Sequence, residues 1–173
     1  ILKKNKKFNF KKIDINNYNS LNKLFKKNKF KYVVHLAALA GVRLSHKIPK
    51  NFFESNVIGF YNLLEISKNF KVDHFIYASS SSVYGNSKQF PQSEKINTDH
   101  PESFYAATKK TNEVLAQSYS TSFGLRATGL RFFTVYGPFG REDMSLFNFA
   151  ESIYNKKEIK LFNYGKHYRD FTY

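Results

Sequence analysis

The run "KYVVHLAA", residues 31 to 38, is what most limits the fold of this chain. It is a near-continuous apolar stretch of strand length, the pattern of a strand buried on both faces in a parallel sheet. A parallel neighbour has to be reached by a crossover, and the sequence supplies one. After a glycine-containing loop, "PKNFFESNVIGFYNLLEISKNF" (49 to 70) opens on proline and sets Phe53, Val57, Phe60 and Leu64 at helical intervals. "DHFIYASS" follows as a second strand running into small hydroxyl residues. A loop around "YGNSKQFPQSEKINTDHP" then leads to a second long helix, "ESFYAATKKTNEVLAQSYSTSF", closed by Gly124. "RATGLRFF" (126 to 133) completes the order strand, helix, strand, helix, strand. That order predicts βαβ crossovers and an α/β, doubly wound parallel sheet, with ligands beyond the carboxyl ends of its strands. Past Gly137 the composition changes to a loop, a helix over "SLFNFAESIYN" and a short strand "EIKLFNYG".

Composition narrows the function classes. The chain has 173 residues, 42% of them hydrophobic, which agrees with one globular domain or most of one. No run of 18 apolar residues occurs, and "ILKKNKKFNF" lacks the apolar core and cleavage site of a secretory signal, so the expectation is a cytoplasmic protein with no membrane role. With no cysteine, and five histidines without ligand spacing, no metal site is expected. The net charge of +15 is concentrated: the first 31 residues hold eleven lysines and one acid, Asp14. These lysines are interleaved with Asn, Phe and Ile without a regular stripe, which fits a solvated surface better than a nucleic-acid footprint, and no nucleic-acid partner is expected.

Three predicted strand ends carry distinctive residues: "HLAALAG", "YASSSSVYG" and "RFFTVYGPFGR". Four consecutive serines are poor strand material and need partners if buried, so they suit a polar ligand. In the next helix Tyr105 and Lys109 are four apart and share a face, which sets an ammonium near a phenol or near a ligand beside it. A nearby cation favours an ionised phenol, the requirement for a base working near neutral pH. An isolated Tyr-x-x-x-Lys is usually a packed ring and a surface lysine; the serine run in the same sheet is what reverses that reading.

The combination resembles the extended short-chain dehydrogenase/reductase family, the NAD-dependent epimerases and dehydratases, and within it most of all the nucleotide-sugar epimerases that act on UDP-glucuronate. The matching motifs are "VVHLAALAGVR", "ESNVIGFYNLLE", "YASSSSVYG", "YAATK", "TGLRFFTVYGPFGR", "DMSLFNF" and "NYGKHYRDFTY", in family order from about Asp14 onward. The resemblance implies a Rossmann-like core over 1–135 and the beginning of a nucleotide-sugar region over 136–173. It implies NAD as cofactor, a UDP-sugar as substrate and a homodimer for the full-length protein. By the pattern S-S-x-V-Y-G, Ser80 takes the catalytic Ser/Thr position and Ser81 and Ser82 contact the sugar. Tyr105 becomes the acid/base, and Lys109 binds the nicotinamide ribose and favours the ionised tyrosine. Asp14, Ile15, Leu36, Ala37, Ala38, Asn56, Ser79 and Phe133 match further cofactor positions. On the sugar side Thr134 and Arg141 resemble the glucuronate branch, the arginine offering a planar fork for a carboxylate. Arg43 is a further feature of that branch. Lys160 and Phe162 match the uracil site and Arg169 the diphosphate site.

The reaction implied by the resemblance is epimerisation: Tyr105 takes the proton of the 4-hydroxyl, directly or through Ser80, while the C4 hydride is passed to NAD and later returned to the opposite face of a 4-keto sugar. UDP-glucose 4-epimerase and UDP-glucuronate decarboxylase are the alternatives within the family. A 4,6-dehydratase needs an Asp-Glu pair where this chain has Ser81 and Ser82. A noncatalytic NAD- or RNA-binding relative is the alternative of another class. The family's G-x-x-G-x-x-G turn is not found in the 173 residues, which therefore read as an internal fragment expected to be inactive alone.

Overall fold

The computed structural model describes residues 4–161, 163–166 and 170–173. The chain forms two compact units, Ile1–Arg131 and Phe132–Tyr173. In the first, three strands, β1 (Tyr32–His35), β2 (His74–Ala78) and β3 (Ala127–Leu130), make a sheet in the order β1-β2-β3 with every pair parallel. Helices supply the crossovers: α2 (Val42–Lys47), α3 (Pro49–Phe53) and α4 (Gly59–Asn69) between β1 and β2, and α5 (Phe104–Phe123) between β2 and β3. This is the Rossmann-like arrangement expected from the order of elements. Helix α5 stops where the sequence placed its end, because Gly124 takes the left-handed conformation (φ 69°) and its N–H bonds back to Ser120.

Two differences from expectation have local causes. A helix not read from the sequence, α1 (Tyr18–Lys27), precedes β1; the Asn17 side chain caps it by accepting the Ser20 N–H at 3.0 Å. It buries only Leu21 and Phe25, one turn apart, among solvated lysines. The expected strand over "EIKLFNYG" does not form: residues 158 to 161 are irregular, and the second unit's parallel ladder joins β4 (Thr134–Val135) to β5 (Phe171–Thr172) instead. A strand needs a ladder partner, and apolar alternation does not provide one. The predicted helix of this unit is α6 (Ser145–Tyr154).

The core joins α1, α4, α5 and one face of the sheet through Leu21, Phe25, Phe60, Leu64, Ile66, Phe75, Tyr77, Ala116 and Leu125. Phe60 stacks edge-on against both Phe75 and Tyr77 at 5.7 and 5.0 Å. Strand β1 alternates, with Val33 and His35 turned inward and Tyr32 and Val34 exposed, where burial on both faces was expected. Helices α1, α4 and α5 pack on the inward face, so the alternate side chains of β1 stay open. Among the described residues no helix is long and apolar enough to cross a membrane.

Between α3 and α4 the helix opens into a π turn, Glu54–Ile58. One extra residue per turn rotates the side chains after it, and turns of this kind recur at functional sites. Here it delivers the buried Asn56 toward β1's trailing loop.

Candidate active site

The carboxyl ends of β1 and β2 and the first turns of α5 form the site. Ser103 caps α5, its hydroxyl accepting the Ala106 N–H at 3.0 Å. Tyr105 lies in the first turn, where backbone N–H groups lack helical partners; its own N–H donates to Ser45 Oγ at 3.1 Å, and the Ser45 hydroxyl donates to Val42 O at 2.6 Å. Helix α2 is thereby fastened to the start of α5. The Tyr105 ring is half-buried, held edge-on by Phe52 at 6.2 Å between centroids.

One turn later Lys109 is 4% exposed. Its Nζ lies 5.9 Å from the Tyr105 ring centroid and donates a 2.8 Å hydrogen bond to the carbonyl of Ala78, the last residue of β2. Burial pulls the ammonium down to about 8. His35, at the end of β1 between Phe60 and Phe75, is held to about 4, first by burial and then by the charge of Lys109, so it is neutral at pH 7.

Beyond Ala78 the serines divide. Ser79 is buried and donates to Glu113 Oε1 at 2.6 Å. Ser80 caps a 3-10 turn (Ser81–Tyr84): its hydroxyl accepts the Ser82 N–H and donates to Ser82 Oγ, both at 3.2 Å. Ser81 and Ser82 are half-buried. The Lys109 hydrogen bond therefore ties the Tyr-x-x-x-Lys face to the serine-bearing strand tip, and Ala78 is two residues before Ser80.

The other sequence-predicted positions are spread more widely. Leu36 is 62% exposed just past β1, with Ala37 exposed and Ala38 half-buried behind it. Asn56 holds this loop: its Oδ1 accepts the Leu39 N–H at 2.8 Å, and its Nδ2 donates to Leu39 O at 2.9 Å and to Thr108 Oγ1 at 3.2 Å. Asp14 is exposed and accepts the Asn16 N–H. Ile15 lies against α4 so closely that a Cβ on Gly59 would meet its Cδ1 at 2.5 Å. In the second unit Phe133 and Thr134 are half-buried, and Thr134 pairs with Phe171 in the ladder. The Arg141 fork grips Asp143, Nε to Oδ1 at 2.9 Å and Nη2 to Oδ2 closer still. Lys160 is exposed, as is Arg43 on α2. Phe162 and Arg169 lie outside the described residues. Sequence reasoning passed over Glu113 and Arg131, which join two elements 18 residues apart and leave no local pattern.

A parallel sheet whose strand ends meet a Tyr–Lys helix face is the frame of a Rossmann-like nucleotide-cofactor protein. Residues 2–173 match the model of the NAD-dependent epimerase/dehydratase family, and the chain belongs to that family. It is 51% identical over 166 residues to the protein CapI of Staphylococcus aureus, covering 96% of this chain and 50% of that one. To a UDP-glucuronate 4-epimerase of Thermodesulfobacterium geofontis it is 47% identical over 173 residues, 99% of this chain and 53% of the relative. The structure of UDP-glucuronic acid 4-epimerase from Bacillus cereus, in complex with UDP-glucuronic acid and NAD, superposes with a TM-score of 0.91 at 38% identity, covering 99% of this chain and 54% of the other. The chain thus spans about half the length of the relatives it matches.

Proposed function

We propose that this chain belongs to an NAD-dependent enzyme that inverts C4 of a UDP-sugar, and that the sugar is UDP-glucuronate. The reading divides the chain into a cofactor-binding part over 1–135 and the start of a nucleotide-sugar part over 136–173. The single observation that carries it is the hydrogen bond from Lys109 Nζ to Ala78 O, which brings the cation, the phenol one turn away and the serine-rich strand tip to one place.

The residues present fit a dinucleotide. An ammonium has three donors, and among the described residues Lys109 spends one on Ala78 O, leaving two for ribose hydroxyls. Exposed Leu36 and Ala37 past β1 offer an apolar wall with little bulk, suited to a flat ring. NAD, when bound, accepts a hydride from C4 and gives it back. Tyr105 takes the proton of the 4-hydroxyl and later returns it, and Ser80, its hydroxyl in a short chain with Ser82, orders the path of that proton. Thr134, Arg141 and the serines restrain the carboxylate of the sugar; a 4-keto uronic acid is a β-keto acid that loses CO₂ when its carboxylate is free to align. Exposed apolar side chains on α3, α4 and α5, among them Phe53, Tyr61 and Val114, suit the packing of a homodimer.

The test is to incubate the full-length protein with UDP-glucuronate and separate the products. UDP-galacturonate without net NADH supports the reading. A UDP-pentose with CO₂ would make the protein a decarboxylase, and binding of NAD or RNA with no turnover a noncatalytic relative. One observation favours a second reading, UDP-glucose 4-epimerase: Asp143 already occupies the fork of Arg141, and UDP-glucose brings no carboxylate to compete for it.

A further inference from the structure

Glu113 and Arg131 form a largely buried ion pair, Nε to Oε1 and Nη2 to Oε2 both at 2.9 Å. The pair is bidentate and so fixes direction as well as distance. Oε1 also accepts the Ser79 hydroxyl at 2.6 Å. The Arg131 guanidinium lies 4.9 Å from the Tyr84 ring centroid, and its Nη1 reaches Glu94 O at 3.4 Å. Ser79 immediately precedes Ser80, and Tyr84 ends the turn that Ser80 caps. A single carboxylate therefore holds both flanks of Ser80, one through a hydroxyl and the other through an arginine.

That carboxylate is on the helix that carries Tyr105, eight residues further along and about 12 Å down its axis. We infer that Glu113 is a positioning residue for the epimerisation proposed above: with Arg131 it sets Ser80 against Tyr105, using α5 as the ruler between them. Stability alone does not call for such a pair, since apolar residues of similar volume commonly replace a buried ion pair without loss. What an apolar pair lacks is a hold on the hydroxyl of Ser79. A displacement of about 1 Å in a reacting geometry costs roughly 10²-fold in rate, so the hold has a kinetic consequence.

The inference rests on the proposed activity, and two readouts on the full-length enzyme separate their fates. The first is kinetic. The double variant Glu113→Leu/Arg131→Met is expected to melt only slightly lower than wild type, because the buried Ser79 hydroxyl loses its acceptor, and to keep KM and NAD content, while kcat drops about 10²-fold. The near-isosteric Glu113→Gln should show a smaller drop in kcat of the same kind. Wild-type kcat in the double variant overturns the inference, and so does a loss in which kcat, KM and melting temperature move together. The second readout needs no substrate: a crystal structure of the double variant is expected to show Ser80 Oγ displaced by about 1 Å relative to the Tyr105 hydroxyl. Superposition on the wild-type position overturns the inference even if wild type proves to have no epimerase activity, a result that by itself would remove only the functional proposal.

Discussion

The side-chain amide of Asn56 engages both backbone groups of Leu39, accepting its N–H at 2.8 Å and donating to its carbonyl at 2.9 Å. The N–H and the carbonyl of one residue beyond the end of β1, groups of two successive peptide units, are thus satisfied by a single side chain from the π turn. Because Nδ2 also reaches Thr108, whose hydroxyl donates to Tyr105 O at 2.8 Å, the clamp extends to the helix of the proposed base.

Replacing Asn56 by alanine strands a donor and an acceptor of Leu39. Leu39 is half-buried, and a fully buried group left unpaired costs about 1–3 kcal/mol, so urea unfolding of Asn56→Ala in the full-length protein should show a loss of about 1 kcal/mol or more. A loss within about 0.5 kcal/mol, the usual range for a surface substitution, would mean that water replaces the clamp at no cost.

Tyr105→Phe keeps the ring against Phe52 and removes only the hydroxyl. Turnover should fall by roughly 10²–10⁴-fold with the melting temperature little changed, as for loss of a general acid–base. A variant retaining more than a tenth of wild-type kcat would assign the proton transfer to another group.

Two buried groups make opposite ends of the pH profile informative. His35 is held from 6.5 down to about 4, so the stability it contributes is complete above pH 6.5 and is lost as pH falls through 4. Compared with wild type, His35→Phe should flatten that acid limb by on the order of 3 kcal/mol. Lys109, held from 10.5 down to about 8, is protonated in both states below about pH 8 and there bears its full desolvation cost. Between pH 8 and 10.5 the unfolded chain binds the extra proton, so stability from this group rises with pH, again by on the order of 3 kcal/mol. Lys109→Met should abolish that rise; parallel wild-type and variant curves in denaturant titrations from pH 7 to 10.5 would refute the burial argument.

Arg141→Ala removes an exposed ion pair with Asp143 and should cost less than about 1 kcal/mol of stability. If the arginine restrains the substrate carboxylate, the full-length variant should release more CO₂ from UDP-glucuronate than wild type. Equal release would leave Arg141 with its local partner alone.

The crossover order was legible because each parallel strand is apolar and each connecting helix has an amphipathic period; β1, β2, β3, α4 and α5 all fall within the stretches that pattern marks. Helix α1 was not, since Leu21 and Phe25 are its only buried positions and the surrounding lysines hide the period. Its available signal was the capping Asn17 followed by two apolar residues one turn apart. At the candidate site, the shared face of Tyr105 and Lys109 and the place of the serines after a strand end were legible through spacing and strand position. The double hold of Asn56 on Leu39 was not, because it depends on the π turn, nor was the Glu113–Arg131 pair, which depends on tertiary approach. Sequence pattern reports periodicity along one element; contacts across elements have to be seen.

The π turn at Glu54–Ile58 bears on how this segment tolerates length change. Excising one residue there would restore an unbroken helix of better intrinsic geometry, yet it would swing Asn56 away from Leu39 by roughly 100°. Local regularity and loop anchoring pull against each other at this point, so a deletion that strengthens the helix would cut its link to the loop beyond β1.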